Sequence, residues 1–186
     1  MDALFNVMSA FGLSASAGLN AYLPLLVVAV ANRYTDMIVL SKPWDVLSDG
    51  RVIAMLVVLL FVEVFVDKIP AIDTANDVIQ TIGRPTAGAI LFASNSGVVG
   101  DVSPVLACIA GLMVAGTVHT AKTVARPMVT ASTGGTGNWA VSLIEDVLAL
   151  IGTILAIVLP VLMGLFVLIF LGLFGFWFIR RRVQVA

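Results

Sequence analysis

Charged side chains lie within an otherwise apolar stretch of this chain. Between residues 105 and 178 the sequence is almost wholly apolar, yet it contains His119, Lys122, Arg126, Glu145 and Asp146. An ionised side chain near the centre of a bilayer costs at least about 2.5–3.5 kcal/mol on insertion scales, so it persists where it faces protein, water or a ligand. This region is therefore the first candidate for a functional site.

The three basic residues of this region are spaced as on a helix. His119, Lys122 and Arg126 follow one another three and then four residues apart, so their side chains project from nearly the same helical face. Three potential cations on one face repel one another unless anions lie among them, and Glu145 and Asp146 are the nearest acids in sequence. Two interpretations stay open: a binding site for an anionic ligand, or a cluster of ion pairs that only fastens two helices.

A glycine-rich segment separates these cations from the acids. Its sequence is Ser132-Thr133-Gly134-Gly135-Thr136-Gly137-Asn138. Backbone N–H groups just before a helix N-terminus favour negative charge, so the segment is a candidate anion site. The residues expected to contact the anion are Ser132, Thr133, Gly134, Gly135 and Asn138. The alternative is a tight turn in which Asn138 caps the next helix. A P-loop is excluded because the Gly-Lys-Ser/Thr ending is missing.

Four acids are candidate carriers of a proton: Glu63, Asp67, Glu145 and Asp146. A carboxyl held between apolar surroundings and a neighbouring cation such as Lys68 can bind and release a proton. Asp67 and Lys68 alternatively mark the membrane surface.

Asn20 lies in an interrupted apolar segment and is a candidate ligand at a helix break. The alternative there is close helix packing by the small residues Gly12, Ser16 and Gly18.

Composition places the chain in the membrane. Of 186 residues, 60% are hydrophobic and 11% charged, and apolar runs long enough for a spanning helix of about 20 residues recur along the chain. The net charge of −1 gives no basic surface for nucleic acid. With one Cys and one His, neither a disulfide nor a transition-metal site is expected, and no cofactor is predicted.

We predict an all-α polytopic membrane protein with about six membrane segments, some of them broken or re-entrant. They cover residues 4–31, 52–66, 86–93, 104–127, 139–159 and 161–179, and the short third segment must either extend to residue 99 or enter the membrane and return. An interfacial helix over residues 71–82 is expected to end at Gly83-Arg84-Pro85, and segments 85–99 and 128–139 are the re-entrant candidates. The chain should reverse near Pro160, because residues 139–179 would form a helix of about 60 Å, twice the hydrocarbon thickness.

The whole chain, residues 1–186, is interpreted as one membrane domain with a 3+3 inverted repeat. The halves would be residues 1–99 and 100–179, each beginning with an interrupted helix that contains an Ala-Gly pair. Residues 180–186 form a basic tail, and Arg180-Arg181-Arg182 predicts a cytoplasmic C-terminus.

Several motifs together carry a family resemblance. They are Ala17-Gly18-Leu19-Asn20-Ala21-Tyr22-Leu23-Pro24, Asp67-Lys68-Ile69-Pro70 with Asp73, His119-Thr120-Ala121-Lys122, Arg126-Pro127 and Ala131-Ser132-Thr133-Gly134-Gly135. This combination, over about residues 10–155, resembles a bacterial membrane protein family catalogued as domain of unknown function 4126. The resemblance implies a small multi-pass protein of the bacterial cytoplasmic membrane. It does not imply any particular activity.

The leading functional hypothesis is a small membrane transporter for an anionic small molecule or a lipid phosphate head group, with proton coupling left open. The alternatives are an ion channel lined by short re-entrant segments and a membrane scaffold without a substrate. An enzyme is not expected, because the Gly-x-Ser-x-Gly nucleophile motif does not occur. The expected partners are the lipid bilayer, the anionic ligand and, since the chain is small for a carrier, a second copy in a homodimer.

Overall fold

The computed structural model describes residues 2–66, 70–95 and 103–183. Over these residues the fold is helical, which confirms the all-α membrane class. The helices are α1 (Asp2–Leu19), α2 (Tyr22–Tyr34), α3 (Gly50–Val66), α4 (Pro70–Ser94), α5 (Pro104–Thr133), α6 (Asn138–Val158) and α7 (Pro160–Val183), with a short 3-10 helix over Trp44–Ser48.

Within the described part of the chain, three stretches of helix are long and apolar enough to cross a membrane: Pro104–Thr133, Asn138–Val158 and Pro160–Phe178. A shorter apolar helix covers Leu4–Leu19. The protein is therefore of the membrane-embedded type. The total of about six membrane segments remains a prediction.

Helix α1 is the centre of the bundle and packs against α4, α5, α6 and α7. Small side chains allow this close approach. A Cβ atom added at Gly12 would lie 2.6 Å from Met163 Cγ, and one added at Gly18 would lie 2.6 Å from the Ala115 carbonyl oxygen. The packing role considered for Gly12 and Gly18 is thus confirmed.

The first apolar segment is broken, as predicted. Helix α1 ends at Leu19 and α2 begins at Tyr22, so Asn20 and Ala21 form the break. Pro24 does not cause it, because Pro24 falls in the first turn of α2, where its missing N–H has no intrahelical partner to lose.

The prediction that Gly83-Arg84-Pro85 ends a helix is wrong. Helix α4 runs without interruption from Pro70 to Ser94 and includes Pro85, so residues 86–93 are its C-terminal part and not a separate short segment. An internal proline costs a helix about 3 kcal/mol. The tight α4–α5 contact at Gly88 and Gly111 and the buried ion pair of Arg84 favour continuing the helix.

Helix α5 is also longer than expected. It passes Pro127 and ends at Thr133, so the second half of the chain does not begin with an interrupted helix as the first half does. The 3+3 inverted repeat stays a prediction, but an interrupted helix at the start of both halves no longer supports it. Residues 128–133 are likewise helical and residues 134–137 form a turn.

The chain reverses between α6 and α7, as predicted. Leu159 leaves the helical conformation with φ −129° and ψ 61°, and α7 starts at Pro160. A Cβ atom at Gly152 would lie 3.2 Å from Met163 Cε. Residues eleven positions apart in one straight helix are about 16 Å apart along the axis, so this contact requires the two helices to fold back on each other.

Candidate functional site

Six buried charged or titratable side chains from four helices make up the charged cluster. Its members are Glu63 on α3, Arg84 on α4, His119, Lys122 and Arg126 on α5, and Glu145 on α6; each is at most 9% exposed. Three of them, on α5, have the helical spacing that the sequence predicted. Burial of so many ionisable groups is tolerated only when they are paired and hydrogen-bonded.

Glu63 and Arg84 form one ion pair of the cluster. Arg84 Nη2 lies 3.2 Å from Glu63 Oε1, and both side chains are almost completely buried. Sequence reasoning proposed Glu63 but missed Arg84, which it assigned to a helix end. The sequence pattern that could have identified Arg84 is the helical periodicity, provided that it is continued through Pro85. One face of α4 buries Gln80, Arg84, Ala87 and Leu91.

His119 connects this pair to α5. Its Nδ1 lies 3.3 Å from Arg84 Nη1, and its Nε2 lies 3.3 Å from Thr81 Oγ1. A guanidinium only donates hydrogen bonds, so Nδ1 must accept, which places the imidazole proton on Nε2, facing Thr81. In this arrangement His119 is neutral and lies between a cation and a hydroxyl.

Lys122 and Arg126 share one carboxylate oxygen. Glu145 Oε2 lies 2.8 Å from Lys122 Nζ and 3.2 Å from Arg126 Nη2. Lys122 also donates to the Leu19 carbonyl oxygen at 3.4 Å, at the end of α1. The predicted approach of the α5 cations to Glu145 is therefore present in the structure, and it joins α1, α5 and α6.

Asn20 links two elements at the helix break. Its Oδ1 accepts hydrogen bonds from the N–H groups of Tyr22 (3.1 Å) and Leu23 (2.9 Å), which caps the start of α2. Its Nδ2 donates to Asp146 Oδ1 at 2.9 Å. Asp146 is thereby held against the end of α1, next to its neighbour Glu145.

The glycine-rich segment is a helix-terminating turn. Ser132 and Thr133 belong to the last turn of α5, and Gly134 and Gly135 take positive φ values of 61° and 88°. The N–H groups of both glycines point to the Thr130 carbonyl oxygen, as in a C-terminal helix cap. This geometry corresponds to the tight-turn alternative.

Asn138 is the first residue of α6, and Gly137 occupies the N-cap position without a side-chain cap. Asn138 is thus not the N-cap; its Oδ1 accepts from Thr130 Oγ1 at 3.1 Å. Backbone N–H groups of the turn donate within it, and Ser132, Thr133 and Gly134 are exposed. The anion-binding role of these residues remains a prediction, separate from the buried cluster. Asp67, proposed as a proton carrier, lies outside the described residues.

Gln80 Oε1 and Ser142 Oγ are buried polar atoms near the cluster that have no hydrogen-bond partner among the described residues. Ser142 is 1% exposed and precedes Glu145 by three residues, so it shares the face of α6 that carries the carboxylate. A buried hydroxyl without a partner loses about 1–3 kcal/mol of solvation. Ser142 therefore offers a hydrogen bond to a small polar group beside Glu145.

The comparison with known families covers nearly the whole chain. A model of the family described as "Domain of unknown function (DUF4126)" matches residues 7–181. The chain belongs to this family. No curated protein and no solved structure gives a significant match. The matched range of this DUF4126 protein includes the complete charged cluster.

The DUF4126 protein has a cavity of about 540 Å³, and Lys122 of the charged cluster donates to the carbonyl oxygen of Leu19, one of the residues that line it. Residues of α1, α5, α6 and α7 line it, and among the thirteen lining residues Ser16 alone has a polar side chain. The Ser16 hydroxyl donates to the Gly12 carbonyl oxygen at 3.0 Å, so it is already satisfied within α1. The cavity surface is accordingly apolar.

Proposed function

We propose that this DUF4126 protein is a membrane transporter for an anionic molecule and that the charged cluster is its binding site. The observation that carries the proposal is the shared carboxylate: Lys122 and Arg126 both bond to Glu145 Oε2. An anionic ligand offers the same chemistry as this carboxylate, so the ligand competes with Glu145 for the two cations.

This competition gives a physical basis for proton coupling. When a ligand displaces Glu145 from Lys122, the carboxylate is left buried without that partner, and protonation removes the cost of its charge. Release of the ligand restores the Glu145 pair and returns the proton. Glu145 is then the proton carrier.

The helix break at Asn20, next to the cluster, supports a conformational change during transport. Asn20 bonds both to the start of α2 and to Asp146 on α6, so displacement of the acids on α6 alters a contact at the break. Discontinuous helices around a binding site are a recurrent feature of secondary transporters.

The proposed location is the bacterial cytoplasmic membrane, with the basic segment Arg180-Arg181-Arg182 on the cytoplasmic side. The proposed role is transport without a catalytic step.

A flux assay tests the proposal. Purified protein in liposomes is given labelled inorganic phosphate, labelled short-chain carboxylates or a fluorescent anionic lipid, each with and without a pH gradient. Loss of a charge-assisted hydrogen bond, worth about 1.5–3 kcal/mol, should lower flux of the accepted anion in Lys122→Met by roughly tenfold or more. Methionine keeps the volume of the buried side chain. The matched control is Lys42→Met, since Lys42 is exposed and should behave as wild type.

Glu145→Gln separates binding from coupling. The amide cannot carry a proton at neutral pH, so flux should continue but lose its dependence on the pH gradient. If Lys122→Met and Lys42→Met both keep the flux of the wild type, the cluster only fastens the helices and is not the binding site; if the wild type carries none of the anions, the transport proposal is wrong.

A further inference from the structure

Residues that line the apolar cavity are close neighbours of polar residues on three helices. Leu19, Val118 and Leu148 line the cavity. Each lies within one helical turn of a polar residue: Leu19 precedes Asn20, Val118 precedes Lys122 by four residues, and Leu148 follows Glu145 by three. A four-residue step corresponds to about 6 Å along a helix axis. The cluster therefore lies at one end of the cavity, on the side of the α5–α6 turn.

The cavity opens sideways. Four of its lining residues are also strongly exposed: Leu148 and Ile151 on α6, and Leu162 and Phe166 on α7, at 48–65%. Both helices are long and apolar enough to cross a membrane. If α6 and α7 cross the membrane, the opening between them faces the hydrocarbon part of the bilayer.

The size and lining of the cavity indicate which class of ligand it can bind. The volume of about 540 Å³ lies in the range of roughly 300–1,000 Å³ that is typical of ligand sites. Apart from Ser16 the lining residues carry no polar side chain. A hydrocarbon chain in the cavity would therefore gain dispersion contacts, whereas a polar ligand would find no hydrogen-bond partners. At its end, Lys122 provides a cation that phosphate oxygens can bind.

We infer that the transported anion is a phospholipid taken from the bilayer, with an acyl chain in the cavity and its phosphate against Lys122 and Arg126. This inference rests on the proposed transport function and adds the class of substrate. The lateral opening admits a lipid directly from the membrane, whereas a water-soluble anion would gain nothing from the apolar walls. The unpartnered Ser142 hydroxyl, one turn from Glu145, is a further donor for a phosphate oxygen.

A photolabelling experiment tests this inference on the full-length protein in liposomes. The probes are phosphatidylglycerol and phosphatidylcholine, each with a diazirine in the same acyl chain. Phosphatidylglycerol should label peptides from α6 and α7 more strongly than phosphatidylcholine does, because of its net negative charge. Ile151→Trp fills the cavity mouth and should reduce this labelling by roughly tenfold, equivalent to about 1.4 kcal/mol.

The matched control is Ile154→Trp. Ile154 is 46% exposed and Ile151 48%, both lie on α6, and of the two only Ile151 lines the cavity. Ile154→Trp should keep full labelling. Leu148→Trp is a second cavity variant in case Ile151→Trp does not fold, and thermal unfolding in detergent identifies such a case.

The possible outcomes distinguish the two proposals. Equal labelling by both lipids, or unchanged labelling in both cavity variants, would overturn the lipid inference. If Ile151→Trp transports inorganic phosphate as wild type does while Lys122→Met does not, the substrate is a soluble anion and only the lipid inference fails. If Ile151→Trp abolishes labelling but Lys122→Met leaves lipid flux unchanged, the cavity binds lipid and the proposed transport mechanism fails.

Discussion

Arg84 shows most clearly how a single residue defines the candidate site. Its side chain has no exposed surface, and it contacts both Glu63 and His119. It therefore links α3 and α5 through α4. A guanidinium stays protonated in proteins, so Arg84 and Arg126 are two permanent cations of the cluster. Because Arg84 donates a hydrogen bond to Nδ1 of His119, the imidazole of His119 is neutral in this arrangement.

Replacement of Glu63 by glutamine should destabilise the protein strongly. Glu63→Gln removes a charge from a buried pair and leaves Arg84 without that compensation, which typically costs about 3–5 kcal/mol. The free energy of unfolding in detergent measures the effect. Asp36→Asn is the control, because Asp36 is exposed and its substitution should change stability by about 0.5 kcal/mol or less. Equal stability of the two variants would mean that the ion pair contributes nothing to the fold.

At the scale of elements, the close contact between α4 and α5 positions the cluster. Gly88 and Gly111 face each other, and a Cβ atom on Gly111 would overlap the Gly88 carbonyl oxygen and lie 2.6 Å from Phe92 Cβ. Small residues at a helix contact let the backbones approach within van der Waals distance. The contact holds Arg84, one turn before Gly88, beside His119 on α5.

Gly111→Ala should therefore force α4 and α5 apart. Overpacking of this kind costs about 1–3 kcal/mol, and the added separation should also weaken the Arg84–His119 contact. Gly172→Ala is the matched control: nothing lies within 4 Å of a Cβ atom there, and alanine favours the helix by about 1 kcal/mol. Thermal unfolding should rank Gly111→Ala below wild type and Gly172→Ala at or above it. The reverse order would contradict the assigned packing.

At the scale of the whole molecule, the central position of α1 gives the cluster and the cavity a common wall. Helices α5, α6 and α7 surround it, and the turn after α5 and the reversal at Leu159 lie at opposite ends of α6. If α6 crosses the membrane, these two connections are on opposite sides. The turn at residues 134–137 then shares a side with Arg180.

Cysteine labelling measures this arrangement. In a Cys108→Ser background, which removes the one cysteine of the sequence, Thr136→Cys should react with an impermeant maleimide only from the cytoplasmic side. Leu159→Cys should react only from the opposite side. Labelling of both positions from the same side would contradict a membrane-crossing α6, whereas exchange of the two sides would contradict only the proposed orientation.

Local sequence determined the helical membrane class, the break at Asn20, the reversal near Pro160 and the common face of His119, Lys122 and Arg126. Hydropathy and helical periodicity depend on residues within a few turns, so a sequence displays them directly. The same local rules fail at Pro85 and Pro127, where they predict a helix end although the helix continues. At Pro85, the contacts of Gly88 and Arg84 with other helices outweigh the local penalty.

Apart from the approach of the α5 cations to Glu145, only the tertiary structure decided which polar side chains meet. Glu63 and Arg84 are 21 residues apart, Arg84 and His119 are 35, and Asn20 and Asp146 are 126. The apolar cavity likewise arises from the distances among α1, α5, α6 and α7. Such pairings depend on the rotation and spacing of whole helices, which follow from the packing of many side chains at once and leave no periodic trace in the sequence.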